Sequence, residues 1–371
     1  MTEMLSRGAL APAAPTAAGP FVDAVDDVLT CVVIEDVTHD VKSFTFELPG
    51  RAQLYFLPGQ YLTFTFPMPG PVAGEAVERC YTISSPPSRA ASVTITVKRV
   101  PGGPVSNWLH DAFRVGDRVC ASGPFGEFST AHHPAAKYVF FSAGSGITPL
   151  MSMTRTLLES AVPTDVVFVH SARTPADIIF RDELDGIGAR PELSVAVICE
   201  GDAPGEEWHG PRGRLSLPLL RTLVPDLCER EAFTCGPPPY MAAVRELLDA
   251  AGFDPAFRHE ESFAIGALPP AGPAACDEVG EETGRRFRVE FRRSGRVLEC
   301  DGGTTLLDGA IDAGLTLPSS CGEGVCGTCK LTLLSGRVDM RHSGGIRPRE
   351  IAQDKILICC SKPLDDVVVD A

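Results

Sequence analysis

Three cysteines stand in one glycine-studded stretch, Cys321-Gly322-Glu323-Gly324-Val325-Cys326-Gly327-Thr328-Cys329, and a fourth, Cys359, follows after 29 intervening residues. C-x4-C-x2-C with a distant fourth cysteine is the spacing of a [2Fe–2S] cluster held by thiolates. Four thiolates must converge on two irons, and the cluster's negative charge calls for backbone N–H groups aimed at its sulfurs. Gly322, Gly324 and Gly327 carry no Cβ and tolerate φ > 0, so the loop can wrap closely. A structural zinc site would present two short cysteine pairs, which this pattern does not. The metal ligands expected are therefore Cys321, Cys326, Cys329 and a cysteine of the Cys359-Cys360 pair. A one-electron centre near the end of a long chain needs an electron source, and two further constellations qualify.

The first is Arg79-Cys80-Tyr81-Thr82-Ile83-Ser84. It reads as a strand on which a guanidinium, an aromatic ring and a hydroxyl share one sheet face, offering a phosphate, a flat ring and a heteroatom their partners. Alone, an ordinary edge strand explains it as well. Downstream, Gly102-Gly103-Pro104-Val105-Ser106-Asn107-Trp108-Leu109 follows a strand and opens a short helix, whose start is an anion site suited to a pyrophosphate. The surrounding segments 28–34, 41–48, 61–66 and 92–100 are β-branched and aromatic runs between Gly and Pro turns, which predict a small antiparallel barrel.

The second lies where the pattern changes. Residues 138–142 form an apolar strand, Gly144-Ser145-Gly146-Ile147-Thr148-Pro149 comes next, and an apolar helix over 150–158 and a strand over 166–170 follow. Strand, glycine turn, helix, strand is a βαβ unit with a dinucleotide cradle at the turn. Thr148-Pro149 departs from G-x-G-x-x-G, although Pro suits a first helical turn. At the end of the next strand stands Arg173 without a second basic partner, which argues against a 2′-phosphate and for NADH. His132, His133 and His170 lack ligand-spaced partners and are expected to be surface and loop residues.

At 371 residues the chain calls for two or three domains. Hydrophobic content of 44% and charged content of 22% describe a globular protein, and a net charge of −15 argues against a nucleic-acid partner. Thirteen scattered cysteines in a chain with a thiolate cluster predict a reducing, cytoplasmic compartment rather than a disulfide framework. No run of 18 apolar residues exists, so no membrane span is expected. The expected organisation is a disordered tail over 1–24, a β-barrel over 25–132, an α/β domain over 133–265 and a Pro/Ala/Gly-rich linker over 266–285. An α+β cluster domain over 286–371 completes it, with a hairpin around Ser294-Gly295, a helix over 305–313 and a last strand at Val367–Val369.

These motifs together resemble the ferredoxin-reductase flavoprotein family, in the form that carries a C-terminal plant-type ferredoxin domain of β-grasp fold. The resemblance spans nearly the whole chain after residue 24. It implies FAD in the barrel, with Arg79 on a flavin phosphate, Tyr81 on the isoalloxazine ring and Thr82 near N5. Ser84, Val97, Lys98, Gly103, Val105 and Ser106 would complete the flavin site. It implies a nicotinamide cradled by Gly144, Gly146, Thr148, Pro149, Arg173, Gly236 and Pro237, with Cys235 of Cys235-Gly236-Pro237 beside the hydride path. The run from Asp177 to Phe180 resembles NADH-using members, Phe263 would lie against the flavin, and the proline at 363 selects Cys359 as fourth ligand. Residues 96–103, 169–173, 259–263 and 342–346 look closest to reductases of glycine betaine-demethylating Rieske-type oxygenases. That implies electrons passing from NADH to FAD to [2Fe–2S] to a separate oxygenase. Reductases of the hybrid-cluster protein or of another oxygenase are the alternative.

Overall fold

The computed structural model describes residues 19–69, 76–190, 192–263, 286–315, 317, 324, 329–342, 346 and 348–371. The first unit is built from β1 (Val25–Thr38), β2 (Val41–Glu47), β3 (Tyr61–Pro69), β4 (Ala76–Thr82), β5 (Ser92–Lys98) and β6 (Arg118–Phe125). All neighbours pair antiparallel in the order β4-β3-β6-β1-β2-β5, and a bridge between Ile83 and Ile95 brings the two outer strands together into a barrel. Alternate residues of these strands, among them Leu29, Phe44, Phe46, Leu62, Phe64 and Ile95, fill its interior. Helix α1 (Pro104–Asp111) plugs one end with Val105 and Leu109.

Two expectations are corrected here. The tail does not run to residue 24, because Phe21–Val22 pairs in parallel with Gln53–Leu54. Strand β6 was not anticipated, since Gly123-Pro124 reads as a turn, yet it lies between β3 and β1.

The second unit has five strands: β7 (Lys137–Ala143), β8 (Asp165–Ala172), β9 (Leu193–Cys199), β10 (Glu231–Gly236) and β11 (Arg258–Ser262). They pair in parallel in the order β9-β8-β7-β10-β11. Strands buried on both faces read as continuous apolar runs, as in the segment Tyr138 to Phe141, and helices α2 (Ile147–Glu159), α3 (Arg181–Ile187), α4 (Leu217–Leu223) and α5 (Pro238–Ala250) connect them. The winding direction reverses between β7 and β10, and that switch point is where a doubly wound sheet opens a ligand crevice.

The third unit contains β12 (Arg286–Phe291), β13 (Arg296–Asp301), α6 (Leu306–Asp312), β14 (Lys330–Ser335), β15 (Lys355–Leu357) and β16 (Val367–Val369). The sheet order is β13-β12-β16-β14-β15, with β12 and β16 parallel and the others antiparallel. Leu306, Leu307 and Ala310 of α6 pack into this sheet's core beside Cys329 and Cys359. The expected linker over 266–285 lies outside the described residues, as do Cys321 and Cys326.

Candidate flavin, nicotinamide and cluster sites

Strand β4 carries the first constellation. Its register sets Arg79 opposite Phe64, Tyr81 opposite Leu62 and Thr82 opposite Tyr61. Alternation then separates Thr82 from Arg79 and Tyr81, so the expectation that all three share one face is corrected. Tyr81 meets Phe64 and Phe66 edge-on at 6.0 and 6.2 Å, and burial drives its phenol pKa upward. Arg79 Nη1 donates to the Glu78 carbonyl at 2.6 Å. Thr82 is 5% exposed, and its Oγ1 is buried without a hydrogen-bond partner. A buried hydroxyl in that condition calls for a group to bind. The hydroxyl of Ser84, by contrast, is engaged inside the barrel with the Thr94 carbonyl at 3.1 Å and Thr96 Oγ1 at 2.9 Å.

The loop before α1 is closed by its own side chains. Ser106 Oγ accepts from Val100 N at 3.1 Å and donates to the Gly103 carbonyl at 3.3 Å, and Asn107 Nδ2 donates to that carbonyl at 2.7 Å. Val105 is buried, Val97 offers its carbonyl to His110 Nε2 at 3.0 Å, and Lys98 pairs with Asp40 at 3.0 Å. The first-turn N–H groups of α1 have no partner within the helix and are the donors an anion would use.

The second constellation sits at the switch point. Gly144 adopts φ +53°. A Cβ at Gly146 would fall 2.2 Å from the Cys235 carbonyl oxygen, so only glycine lets the turn after β7 press against the end of β10. Thr148 Oγ1 caps the turn on the Ser145 carbonyl at 3.1 Å, and Pro149 is buried in the first turn of α2. Gly236 abuts the Tyr240 ring and Ala143, and Pro237 starts α5. Cys235 is fully buried, and burial, with Glu261 nearby, pushes its thiol pKa well up. At the end of β8 the Arg173 guanidinium meets Asp177 at 3.3 Å, and Asp177 also accepts from Thr174 N and Oγ1. This acid opens the run from Asp177 to Phe180 that resembles NADH-using members.

The structure joins the two constellations through residues the motifs did not single out. Parallel pairing of β10 with β11 places Glu261 directly opposite Cys235. Gly126, at φ +101°, lies where a Cβ would be 3.1 Å from the Tyr61 ring and 4.0 Å from Glu261 Oε1. Tyr61, the cross-strand neighbour of Thr82, and Glu261, the neighbour of Cys235, thus approach each other at Gly126. Glu261 is 8% exposed, its Oε2 has no partner, and burial pushes its carboxyl up to about 8. Burial thus favours the protonated carboxyl, which can donate a hydrogen bond. Phe263, at the rim beyond β11, is 36% exposed.

In the third unit Cys329 and Cys359 are buried with their Sγ atoms 3.1 Å apart, while Cys360 Sγ donates to the Leu357 carbonyl at 3.5 Å. Gly324 has φ +69°, and a Cβ there would lie 2.7 Å from Cys360 Sγ and 2.9 Å from His342 Cα. Both the strain and the contact require glycine in the cysteine loop.

Three domain families match in this order: the oxidoreductase FAD-binding domain over residues 29–130, the oxidoreductase NAD-binding domain over 140–246, and the 2Fe-2S iron-sulfur cluster binding domain over 289–364. The glycine betaine monooxygenase reductase subunit of Pseudomonas aeruginosa is 43% identical over 92% of this chain and 94% of its own length. That of Chromohalobacter salexigens is 44% identical over 92% and 94%. The chain belongs to the FAD-, NAD- and [2Fe–2S]-binding reductase family. The stachydrine N-demethylase reductase subunit of Rhizobium meliloti is 40% identical over 92% of the chain and 96% of that protein. Phthalate dioxygenase reductase shares the fold, with a TM-score of 0.56 at 24% identity over 93% of this chain and 98% of that one.

As a member of this family the protein is an NADH-dependent oxidoreductase whose cofactors are FAD and a [2Fe–2S] cluster. The residues present fit those groups: Thr82 and Glu261 each keep a buried polar atom without a partner, and two thiols converge in the third unit. When bound, the flavin supplies the exchange between two-electron hydride chemistry and the one-electron cluster. No described helix is long and apolar enough to cross a membrane.

His132 and His133 are loop residues, the first exposed, and only the expectation for His170 needs correction. His170 is not a loop residue but fully buried in β8, where its Nδ1 meets Ser142 Oγ at 2.7 Å and desolvation lowers its pKa to about 3. His133 stacks on His259 at 3.6 Å, and His259 Nε2 bonds Glu231 at 2.7 Å, tying the segment after the barrel to β10 and β11. His132 pairs with Glu127 at 3.1 Å.

Proposed function

We propose that this reductase supplies electrons to a separate Rieske-type oxygenase that N-demethylates glycine betaine. The observation that carries this reading is 43–44% identity, along more than nine-tenths of both chains, to reductase subunits that bear that name. In this reading Arg79 holds a flavin phosphate, Tyr81 packs on the ring, and Thr82 and Cys235 face the two ends of the hydride path. The start of α1 at Gly103–Ser106 takes the pyrophosphate, the turn from Gly144 to Pro149 takes the nicotinamide dinucleotide, and Cys321, Cys326, Cys329 and Cys359 hold the cluster. The same reading divides the chain at 25–132, 133–265 and 286–371 and places it in the cytoplasm, where thiolates stay reduced.

The likeness to a stachydrine N-demethylase reductase supports a second betaine as the partner's substrate. The test is NADH-dependent formaldehyde release by this protein mixed with a candidate Rieske oxygenase and glycine betaine or stachydrine. Formaldehyde in step with NADH loss, and absent when either protein is omitted, is the expected result with glycine betaine. Release with stachydrine alone moves the assignment to that substrate. Rapid cytochrome c reduction without transfer to the oxygenase overturns the partner and turns the search to other acceptors, the hybrid-cluster protein among them.

A further inference from the structure

Helix α2 has two functions at its two ends. Its N-terminal turn, from Gly144 to Thr148, is the dinucleotide cradle. Further along, Ser152, Arg155 and Glu159 recur at spacings of three and four, which sets them on one helix face. That face lies against the segment following flavin strand β4. Ser152 Oγ donates to the Ser85 carbonyl at 2.9 Å, Arg155 Nη1 donates to the Ser84 carbonyl at 2.5 Å, and Ser88 Oγ donates to Glu159. Ser84 and Ser85 come two and three residues after Thr82.

Arg155 is also fixed from the other side. Its Nε and Nη2 reach the two carboxylate oxygens of Glu183 at 2.7 and 2.5 Å, and its Cζ sits 4.7 Å over the Phe180 ring. Phe180 is held at φ +59°, a conformation unusual for an aromatic residue, at the entry to α3. The Arg155 side chain is 18% exposed and that of Glu183 36%, so this bidentate pair is shielded on the arginine side. Beside it a cavity of about 740 Å³ opens between barrel and nicotinamide unit, lined in part by Ser84, Arg155, Phe180 and Glu183. Val37 and Val41 of the barrel pack against the apolar core of the nicotinamide unit, and the polar stripe of α2 adds directional hydrogen bonds to that contact.

We infer that Arg155 is a positioning residue for hydride transfer, with Ser152 as its auxiliary. By tying α2 to residues 84–85 it fixes the dinucleotide turn relative to Thr82 and hence the distance between donor and acceptor. This rests on the flavin and nicotinamide sites assigned above. Misplacement by about 1 Å costs on the order of a hundredfold in rate. Loss of the clamp therefore slows reduction of the flavin by NADH without removing a group that touches either cofactor.

The test uses the full-length, cofactor-loaded protein and the variants R155M, R155K and S152A. For R155M we expect full FAD and cluster content and unchanged reduction by dithionite. The limiting rate of flavin reduction by NADH should fall by roughly tenfold to a hundredfold, with a smaller loss in S152A and partial recovery in R155K. Independently of turnover, amide hydrogen exchange should rise in residues 84–90 and in α2 and stay unchanged in the cluster unit. An R155M protein that keeps wild-type exchange and reduction rate overturns the proposal. So does one that loses FAD and protection throughout while S152A behaves as wild type, since that is a stability role alone. If dithionite-reduced wild-type protein shows no flavin or cluster signal, the cofactor assignment fails rather than the clamp.

Discussion

Glu261 gives the sharpest quantitative consequence of this architecture. Its carboxyl is buried opposite Cys235, and desolvation alone raises its pKa from 4.5 to about 8. Because the folded value lies above the unfolded one, the protonated carboxyl's contribution is complete below about pH 4.5. It is lost progressively as the pH rises toward 8, where the unfolded state has already released its proton and the folded state has not. At 1.36 kcal/mol per unit the ceiling for the shift is about 5 kcal/mol, and relaxation with water entry brings a working value to roughly half that. Glu261→Gln keeps a neutral donor and acceptor of the same shape but cannot ionise. Thermal unfolding of both proteins, free of added cofactor, should be followed from pH 5 to pH 8.5 through the transition of the barrel and nicotinamide units. The two should unfold together at pH 5, and the variant should become more stable by roughly 5–10 °C at pH 8.5, since about 2–4 °C accompany each kcal/mol in domains of this size. Parallel curves across the range would show that Glu261 is ionised and solvated at neutral pH and would refute the assignment of a neutral acid to the crevice.

Other consequences are simpler to read. Cys359→Ser should abolish the visible and paramagnetic signals of the cluster while Cys360→Ser keeps them, because Cys359 Sγ is the one set 3.1 Å from Cys329 Sγ; the reverse outcome moves the ligand by one residue. Arg79→Ala should release flavin on gel filtration, and full retention would mean that β4 does not bind the flavin phosphate. Gly146→Ala places a Cβ within 2.2 Å of the Cys235 carbonyl and should cut the rate of flavin reduction by NADH on the order of a hundredfold, with reduction by dithionite intact; an unchanged rate would mean that the turn after β7 lies elsewhere.

What could be read from the chain alone was what lies close in sequence. The cysteine loop, the glycine turn after β7 and the Arg79–Thr82 strand announce themselves because their chemistry needs particular residues a few positions apart. Strand β6 was missed because Gly123-Pro124 carries a turn signal that tertiary pairing with β1 and β3 overrides. Glu261 was visible only as part of an unexplained run, because its partner Cys235 is brought to it by a parallel pairing that no local pattern encodes. The same holds for Arg155, whose contacts come from two stretches distant in sequence, and for His170, whose burial follows from a strand with sheet neighbours on both sides. The alternation of β4 was available from the sequence, and it puts Thr82 opposite Tyr61 rather than beside Tyr81.

That last placement has a physical consequence for how the reductase is assembled. Tyr81 and Thr82 project from opposite faces of one strand, so a flavin site that used both, as proposed, would wrap the strand's end rather than lie flat on the sheet. On one side Phe64 and Phe66 fix the tyrosine ring. On the other, Thr82 Oγ1 and Glu261 Oε2 are buried without partners. A buried group left without a hydrogen bond costs about 1–3 kcal/mol, so a polar guest that bonds to either group relieves that penalty. Binding such a guest and ordering the crevice are then one thermodynamic event, since whatever satisfies both groups also stabilises the folded protein in proportion to its occupancy. The position of β11 brings Glu261 up to β10, whereas Thr82 belongs to the barrel. Neither unit offers both groups alone, and the clamp from Arg155 holds the two in register while the site is filled.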